Sequence, residues 1–216
     1  MKKTVVTPWY RMSGMRMVGV AMLLMTGLYS STHAASFDCK KAGTRIEKMI
    51  CGDSKLSDMD DELGIYYAPG DDVAATDPRR VAQRAWLAKR NACTTAACVE
   101  NQYHLRLSQL ACAPDAPFAG ATHTQISCLS HQLWVAEKEL DAVERQHIDE
   151  ISKDAHNPEG MRALAVKEAK TWRVYRAAKC ELYGNREGDG GNWQVGWALG
   201  CDVSETEQRI KAIKAD

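Results

Sequence analysis

Eight cysteines constrain the fold of this 216-residue chain more than any other feature of its sequence. An even set of cysteines is typical of disulfide bonds when a protein is exported. Even the closest pair, Cys93 and Cys98, is spaced more widely than the CxxC pairs of most structural zinc sites. We therefore expect all eight to be oxidised and structural, with none left as a thiol nucleophile. They are Cys39, Cys51, Cys93, Cys98, Cys112, Cys128, Cys180 and Cys201.

Residues 1–34 predict an export signal. They hold four bases, no acid and one short apolar stretch, and small residues at Thr32 and Ala34 suit cleavage before Ala35. A membrane anchor is the less favoured alternative, because the apolar stretch is too short to span a bilayer comfortably. Asp38 precedes the first cysteine, where a lipoprotein signal has a small residue. We expect a periplasmic or secreted protein with no lipid anchor, and with no membrane span after cleavage.

The charge balance excludes one class of function. The whole chain carries 28 Lys and Arg against 28 Asp and Glu, and removal of residues 1–34 leaves a net charge of −4. Without a basic excess, nucleic-acid binding has no electrostatic support. The acids gather in the second half, where residues 113–216 hold 17 acids against 13 bases.

The chain from residue 35 onward has the pattern of an internal repeat, with copies at 35–113 and 122–216. Three anchors recur in the same order, each followed at a matching distance by a leucine or an arginine. Cys112 takes the place of Cys39 in the second copy, at a spacing of 16 residues rather than 12 to the next cysteine. The anchors are Cys51 and Cys128, then Trp86 with Arg90 and Trp172 with Arg176, then Cys98 and Cys201.

Each copy predicts a small helical hairpin, so the fold class is all-α with two tandem disulfide-stapled domains. In the first copy, Leu56, Met59, Leu63 and Tyr66 recur at helical spacing on one face. Asp77-Pro78 is a typical helix start. No alternating runs of useful length are present, so we expect no strands.

The second copy predicts a longer first helix that ends at Asn157-Pro158. Its partner helix is expected to bury a face with Leu164, Trp172 and Tyr175. Residues 184–197 contain five glycines and two tryptophans. That segment is disordered, a binding loop or a cover over the second core, and the sequence does not rank these alternatives.

Hairpin geometry predicts which cysteines lie close together. Two antiparallel helices bring the start of the first near the end of the second. A bond closing a loop of about 40 residues would add about 2–4 kcal/mol of stability to such a thin core. The exact pairing stays open. The expected neighbours are Cys93 or Cys98 for Cys51, and Cys180 or Cys201 for Cys128.

Few residues suggest catalysis, and we do not expect an enzyme, a metal or a cofactor. His147 and Glu150 have the i, i+3 spacing that metal ligands can use, but His147 lies on an apolar stripe where packing is the commoner role. The acids at 60–62 suggest paired carboxylates, yet a solvated helix face with one residue pointing inward explains them better. No common catalytic motif is present in the sequence.

One surface feature suggests a protein partner. Residues 53–77 are rich in acids, and Tyr66, Tyr67, Asp71 and Asp72 lie at the turn of the first hairpin. Aromatic and carboxylate groups on a turn can dock on a basic protein, with charge chiefly steering the encounter. A solvated loop without a partner is the slightly favoured alternative.

A motif in the first copy is formed by Cys39, Ile50-Cys51, Leu56, Asp60, Glu62-Leu63, Tyr66, Gln83, Arg84, Ala85, Trp86, Leu87, Arg90, Cys93, Cys98, Tyr103, Arg106 and Leu110. Through these residues the first copy resembles the N-terminal domain of the LprI-like lysozyme inhibitors, which are small helical, cysteine-stapled domains of the bacterial envelope. The second copy resembles a divergent member, through Trp172, Arg176, Cys180, Gly190-Gly191, Cys201 and Arg209.

The resemblance implies an envelope protein that binds and inhibits lysozyme, or another basic protein, without catalysis. A non-inhibitory binding or structural module of the envelope is the alternative. It also implies that Trp86, Arg90, Trp172 and Arg176 are structural motif residues. The chain departs from the family's name-giving lipoprotein in lacking a lipid-attachment sequence, and the spacing of Cys112 departs as well.

Overall fold

The computed structural model describes residues 35–67 and 74–216, which fall in one compact unit. The predicted export signal lies outside the described residues. The described part is all-α and contains no strand, which confirms the predicted fold class. A 3-10 turn at Cys39–Lys41 precedes the helices, which are α1 Arg45–Cys51, α2 Ser54–Tyr66, α3 Pro78–Ala92, α4 Ala96–Ala111, α5 Thr122–Lys153, α6 Pro158–Glu187 and α7 Gly191–Ala215.

Side-chain caps fix the starts of most helices. Thr44 and Glu47 form a capping box at α1, and Asp77 accepts from the backbone of the first turn of α3 just before Pro78. Asp77-Pro78 is therefore a helix start, as predicted. Asn157 caps α6 in the same way, whereas α5 ends earlier, at Lys153. The expectation that Asn157-Pro158 ends a helix was wrong, because asparagine before proline starts one equally well.

Helices α1 to α4 enclose a continuous apolar core. The predicted face of α2 is confirmed, since Leu56, Met59, Leu63 and Tyr66 are all buried. From α4, Val99, Tyr103, Leu107 and Leu110 pack into the same cluster. Burial of these side chains supplies the main hydrophobic stabilisation of the first half.

Helices α5 to α7 are longer and bury fewer large apolar side chains. Leu140 and Ile210 are buried, and Ala136, Ala169 and Val203 fill much of the remaining interior. Leu164 and Tyr175 were expected on the buried face of α6, but they are 65% and 58% exposed. That expectation was wrong because α6 buries Ala169, Arg176, Cys180 and Gly184 instead.

The glycine-rich segment 184–197 is mostly helical. Helix α6 continues to Glu187 and α7 starts at Gly191, so only three residues separate them. A Cβ on Gly184 would lie 2.6 Å from the Gln194 carbonyl oxygen, and one on Gly188 would lie 2.5 Å from the Gln194 Cα. These glycines let the two helices approach closely, which excludes the disordered alternative.

All eight cysteines form disulfides, and each bond joins neighbours along the chain. No free cysteine occurs among the described residues. Cys51 is not bonded to Cys93 or Cys98, and Cys128 is not bonded to Cys180 or Cys201, although these were the expected neighbours. Each is bonded to the cysteine that precedes it in the sequence. The bonds are Cys39–Cys51, Cys93–Cys98, Cys112–Cys128 and Cys180–Cys201, over separations of 12, 5, 16 and 21 residues.

The two halves of the chain are in direct contact. Helix α5 packs against α4 as well as against α6 and α7. Cys128, at the start of α5, lies against the core of the first half. The proposed boundaries of two domains, 35–113 and 122–216, therefore separate segments that share an interface.

Candidate partner-binding site

A buried cluster of a carboxylate, an arginine and a hydroxyl connects α2, α3 and α4. The Tyr103 hydroxyl donates to Asp60 Oδ1 over 2.5 Å, and the Arg90 guanidinium lies 3.6 Å from the same oxygen. Arg90 also donates to the Tyr103 hydroxyl oxygen over 3.1 Å, and the Ser36 backbone N–H donates to Asp60. Burial and the adjacent Asp60 carboxylate raise the pKa of Tyr103, so this phenol stays a donor.

The second half repeats this cluster at the matching positions. Arg176 donates to Glu137 over 2.6 Å and to the Thr206 hydroxyl over 2.7 Å. Its Nε also lies 3.1 Å from Asp202, whose pKa burial raises despite the nearby guanidinium. Arg176 corresponds to Arg90 in the proposed repeat, so the same polar brace joins three helices in each half.

The tryptophans of the proposed motif pack beside these arginines. Trp86 is buried and donates from Nε1 to the Gln102 carbonyl oxygen over 2.8 Å. The Arg90 guanidinium lies 5.1 Å from its ring centre. Trp172 is half-buried between Arg176 and Arg209, at 5.4 and 5.2 Å. This cation–π geometry fits a structural role for the four motif residues Trp86, Arg90, Trp172 and Arg176.

The acids at 60–62 are not simply a solvated face. Asp60 is buried in the cluster described above, as the inward-pointing member of the three. Glu62 is partly buried and contacts α5, where it accepts from the Ser127 hydroxyl and lies 3.1 Å from His131 Nε2. Burial alone would raise the pKa of Glu62, but the hydrogen bonds from His131 and Ser127 outweigh it and hold the pKa below its usual range.

A pair of buried histidines lies where α4 meets α5. The Nδ1 atoms of His104 and His131 are 2.8 Å apart, so one ring must donate and the other accept. The Trp134 ring stacks on His104 at 4.1 Å. Burial lowers the pKa of His104 to about 4, with a further lowering from His131. Sequence reasoning missed this pair, because 27 residues separate its members and no local pattern signals it.

The acidic turn after α2 exposes fewer of its predicted contact residues to a partner than the sequence indicated. Tyr66 is only 4% exposed and packs in the first core, so its ring is not available to a partner. Tyr67 is partly buried and packs against the same core. Asp71 and Asp72 lie outside the described residues. The proposal that this turn contacts a partner now rests on Tyr67 and those two acids.

The other candidate polar pair, His147 and Glu150, does not assemble a metal site. His147 Nε2 lies 3.8 Å from Asp216, while Glu150 accepts from Gln146. Within the ranges 35–67 and 74–216, no group of three or more His, Cys, Asp or Glu side chains can hold a metal ion. His147 borders an open cavity of about 550 Å³ between α5, α6 and α7. Its wall is mostly apolar, and Arg209 crosses it to bind Glu144 and Glu168.

Two exposed features stand out against these internal clusters. Trp193 and Trp197 are about half-exposed on α7, where Trp197 packs edge-on against Tyr183. Phe118, between α4 and α5, is 66% exposed on a short loop that the Cys112–Cys128 bond closes. No sequence motif singles out Phe118, because its neighbours at 113–121 are mostly alanine, proline and glycine, as in many linkers.

These features define a helical, disulfide-stapled protein whose described polar clusters brace one helix against the next. No helix in the described part of the chain is long and apolar enough to cross a membrane. Residues 112–213 match the family model described as Lysozyme inhibitor LprI. The chain is thus similar to the LprI lysozyme-inhibitor family through its second half, which confirms the resemblance predicted from the sequence.

Individual relatives agree with that match. The chain is 32% identical over 91 residues to Lipoprotein LprI of Mycobacterium bovis and to Lipoprotein LprI of two strains of Mycobacterium tuberculosis. The aligned segment covers 40% of this chain and 46% of each relative, so the chain spans less than half the length of the relatives it matches. No solved structure matches the chain.

The family match falls on the copy that the sequence indicated as the divergent one. It starts at Cys112 and therefore includes the bonds Cys112–Cys128 and Cys180–Cys201. The match thus includes Cys112, which the proposed bounds place at the end of the first copy. The presence of a full second copy of the family domain in residues 35–113 stays a proposal.

Proposed function

We propose that this protein is exported to the bacterial envelope or beyond, where it binds lysozyme and inhibits it by direct contact. The observation that carries the proposal is the match of residues 112–213 to a family described as a lysozyme inhibitor. The inhibition requires no chemistry from this chain, because an inhibitor need only occupy the surface that the enzyme uses for its substrate.

The disulfide-stapled scaffold supports this function. Four short-range disulfides and buried ion clusters around Arg90 and Arg176 hold the helices in one arrangement. A preorganised surface loses little conformational entropy on binding, which favours tight association. Such a scaffold also suits an envelope compartment, because disulfides form and persist in its oxidising environment.

Charge supports a basic partner. The chain after residue 34 has a net charge of −4, and all of this excess lies in residues 113–216. Lysozyme is a basic enzyme, so opposite charges would accelerate the encounter and make the association rate sensitive to salt. The acidic excess lies in the segment that matches the family model.

We also propose that the two halves are two copies of one domain. The clusters Asp60–Arg90–Tyr103 and Glu137–Arg176–Thr206 occupy matching helices, and the disulfides follow the same order in both halves. Two copies would give either two lysozyme sites or one site braced by a second domain. Binding stoichiometry distinguishes these arrangements.

A cell-wall lysis assay tests the proposed function. The protein is purified from the periplasm with its disulfides intact and mixed with lysozyme before bacterial cell walls are added. We expect the clearing rate to fall as the protein approaches molar equivalence. Protein that has been reduced and alkylated serves as the control and should inhibit less.

Unchanged clearing at a severalfold molar excess would refute lysozyme inhibition. If the protein then captured another envelope protein without slowing lysis, the alternative of a non-inhibitory binding module would be favoured. Mass spectrometry of the exported protein would test the accompanying claim that residues 1–34 are removed.

A further inference from the structure

The connection between α4 and α5 is an ordered loop, which we call the stapled loop and define as residues 113–121. The Cys112–Cys128 bond closes it at its base. Backbone hydrogen bonds of 2.9–3.0 Å from Ala116, Ala119 and Ala121 form successive turns, and Ala116 is buried as an internal anchor. The Thr124 hydroxyl donates to the Pro117 carbonyl oxygen from the first turn of α5. The disulfide, the hydrogen bonds within the loop, the buried Ala116 and the hydrogen bond from α5 therefore fix the conformation of the loop.

Phe118 lies at the tip of this loop in an unfavourable conformation. Its φ of 57° makes it the one non-glycine residue in the described ranges with a positive φ. A bulky side chain adopts this left-handed region only at an energetic cost, whereas glycine or asparagine adopts it readily. Phe118 is nevertheless 66% exposed, and its ring lies 5.7 Å from the ring of His123, which is itself exposed. Packing against residues 35–67 and 74–216 does not explain a phenylalanine at this position.

A strained, exposed and well-supported aromatic side chain suits contact with another molecule. Strained conformations persist where the surrounding structure fixes them, and they cluster at binding sites. Exposed aromatic side chains on a rigid support supply contact area at a small entropic cost. The stapled loop is also the first element of the segment that matches the family model, which starts at Cys112.

We propose that the stapled loop, with Phe118 at its tip, is the element that enters the substrate cleft of lysozyme. This inference rests on the proposed function and assigns it a contact surface. The loop is short, is closed by a disulfide and exposes residues 118–120. Enzyme clefts are concave and largely lined by apolar and aromatic groups, which suits an exposed aromatic side chain. The other large exposed apolar side chains described, such as Val174, Tyr175 and Leu182, lie on helix surfaces rather than on a loop of this kind.

Substitution of Phe118 tests the assignment with a readout that separates binding from folding. Phe118→Asn removes the ring and places a residue that tolerates a positive φ. We expect lysozyme affinity, measured by calorimetry on the full exported protein, to fall at least about tenfold, as for a central aromatic contact. We expect the melting temperature to stay level or rise, because the strain is relieved. Tyr175→Ala, at a comparably exposed aromatic residue on α6, should change affinity by less than about twofold.

A competition experiment tests the cleft itself. Tri-N-acetylglucosamine, which fills the lysozyme cleft, should displace the wild-type protein. If the wild-type protein binds lysozyme but Phe118→Asn binds equally well, or the trisaccharide fails to compete, the loop assignment is overturned while the proposed function stands. If the wild-type protein does not bind lysozyme at all, both the loop assignment and the proposed function are refuted. A large loss of melting temperature in Phe118→Asn would also overturn the assignment, because it would show a structural role for the ring.

Discussion

At the residue scale, buried charged side chains carry much of the specificity of this fold. The first half uses the buried Asp60 with Arg90 and the Tyr103 hydroxyl. The second uses the buried Arg176 with the Thr206 hydroxyl and with Glu137, whose side chain is 42% exposed. A buried ion pair adds little net stability over an apolar pair, but removal of one partner leaves an uncompensated charge. These clusters therefore fix the arrangement of the helices more than they strengthen it.

Removal of one buried charge tests this account. Arg90→Met keeps the apolar stem beside Trp86 but leaves Asp60 without its cation. We expect a loss of about 3 kcal/mol in the free energy of unfolding, measured with urea. Arg186→Met is the matched control, since Arg186 is 69% exposed and its contacts with Glu187 and the Tyr183 ring lie at the surface, so it should change stability by less than about 0.5 kcal/mol. Equal effects of the two substitutions would contradict the buried role of Arg90.

The histidine pair predicts a loss of stability in acid. The folded state holds His104 neutral down to about pH 4, whereas an unfolded histidine binds a proton near its ordinary pKa of 6.5. The unfolded state then binds more protons between these values, so the free energy of unfolding falls as the pH drops from 6.5 towards 4. Glu62 and Lys55 on α2, Glu100 on α4 and His131 on α5 are the charged or titratable groups that act on this ring.

Urea unfolding at pH 7, 6 and 5 measures this dependence. His104→Gln should flatten the decline, because glutamine has no proton to gain. His156→Gln, at an exposed histidine, should leave the decline unchanged. An identical decline in all three proteins would show that His104 does not contribute to it.

At the element scale, close helix packing depends on two glycines near the α6–α7 turn. A Cβ at Gly184 would meet the Gln194 carbonyl oxygen at 2.6 Å and the Ala198 Cβ at 2.8 Å. Neither contact can be relieved by rotating a flexible side chain. Gly184→Ala should therefore force α6 and α7 apart and lower the free energy of unfolding by about 1–3 kcal/mol.

Gly196 provides the matched control on α7. A Cβ there meets nothing within 4 Å, and its backbone is helical. Gly196→Ala should stabilise the protein by about 0.5–1 kcal/mol, because alanine loses less backbone entropy in a helix. Thermal melts of the two variants should shift in opposite directions. A shift of both in the same direction would contradict the packing described for Gly184.

Local sequence signals predicted the helices, their starts and their buried faces better than the contacts between distant residues. The face of α2 and the Asp77-Pro78 start of α3 follow from spacing and capping, which act over a few residues. The disulfide partners and the His104–His131 pair depend on how distant segments meet, and no local pattern records that. The burial of Tyr66 was visible in the spacing, since it continues the apolar face of α2, but the acidic turn beside it favoured a partner-binding interpretation.

The candidate contact surface was the least predictable part of the site. The importance of Phe118 comes from a backbone angle and from exposure, and neither is encoded by a recognisable motif. The spacing of Cys112 and Cys128 indicated only a weak equivalence to Cys39 and Cys51. In the structure that same bond closes the loop that presents Phe118.

At the scale of the whole molecule, the eight disulfide-bonded cysteines support the expected compartment. Thiol titration of the denatured, unreduced protein should detect almost none of the eight cysteines, because each is paired in the folded chain. Reduction before denaturation should expose all eight. Detection of several thiols without reduction would contradict a stapled, exported protein.

Steady-state kinetics of lysozyme on a soluble glycan substrate test the central claim most directly. If the protein occupies the substrate cleft, the apparent KM should rise linearly with its concentration from the uninhibited value while kcat stays constant. The ionic strength must be held fixed, because charge contributes to the encounter. An unchanged KM and kcat at concentrations well above that of the enzyme would contradict the account.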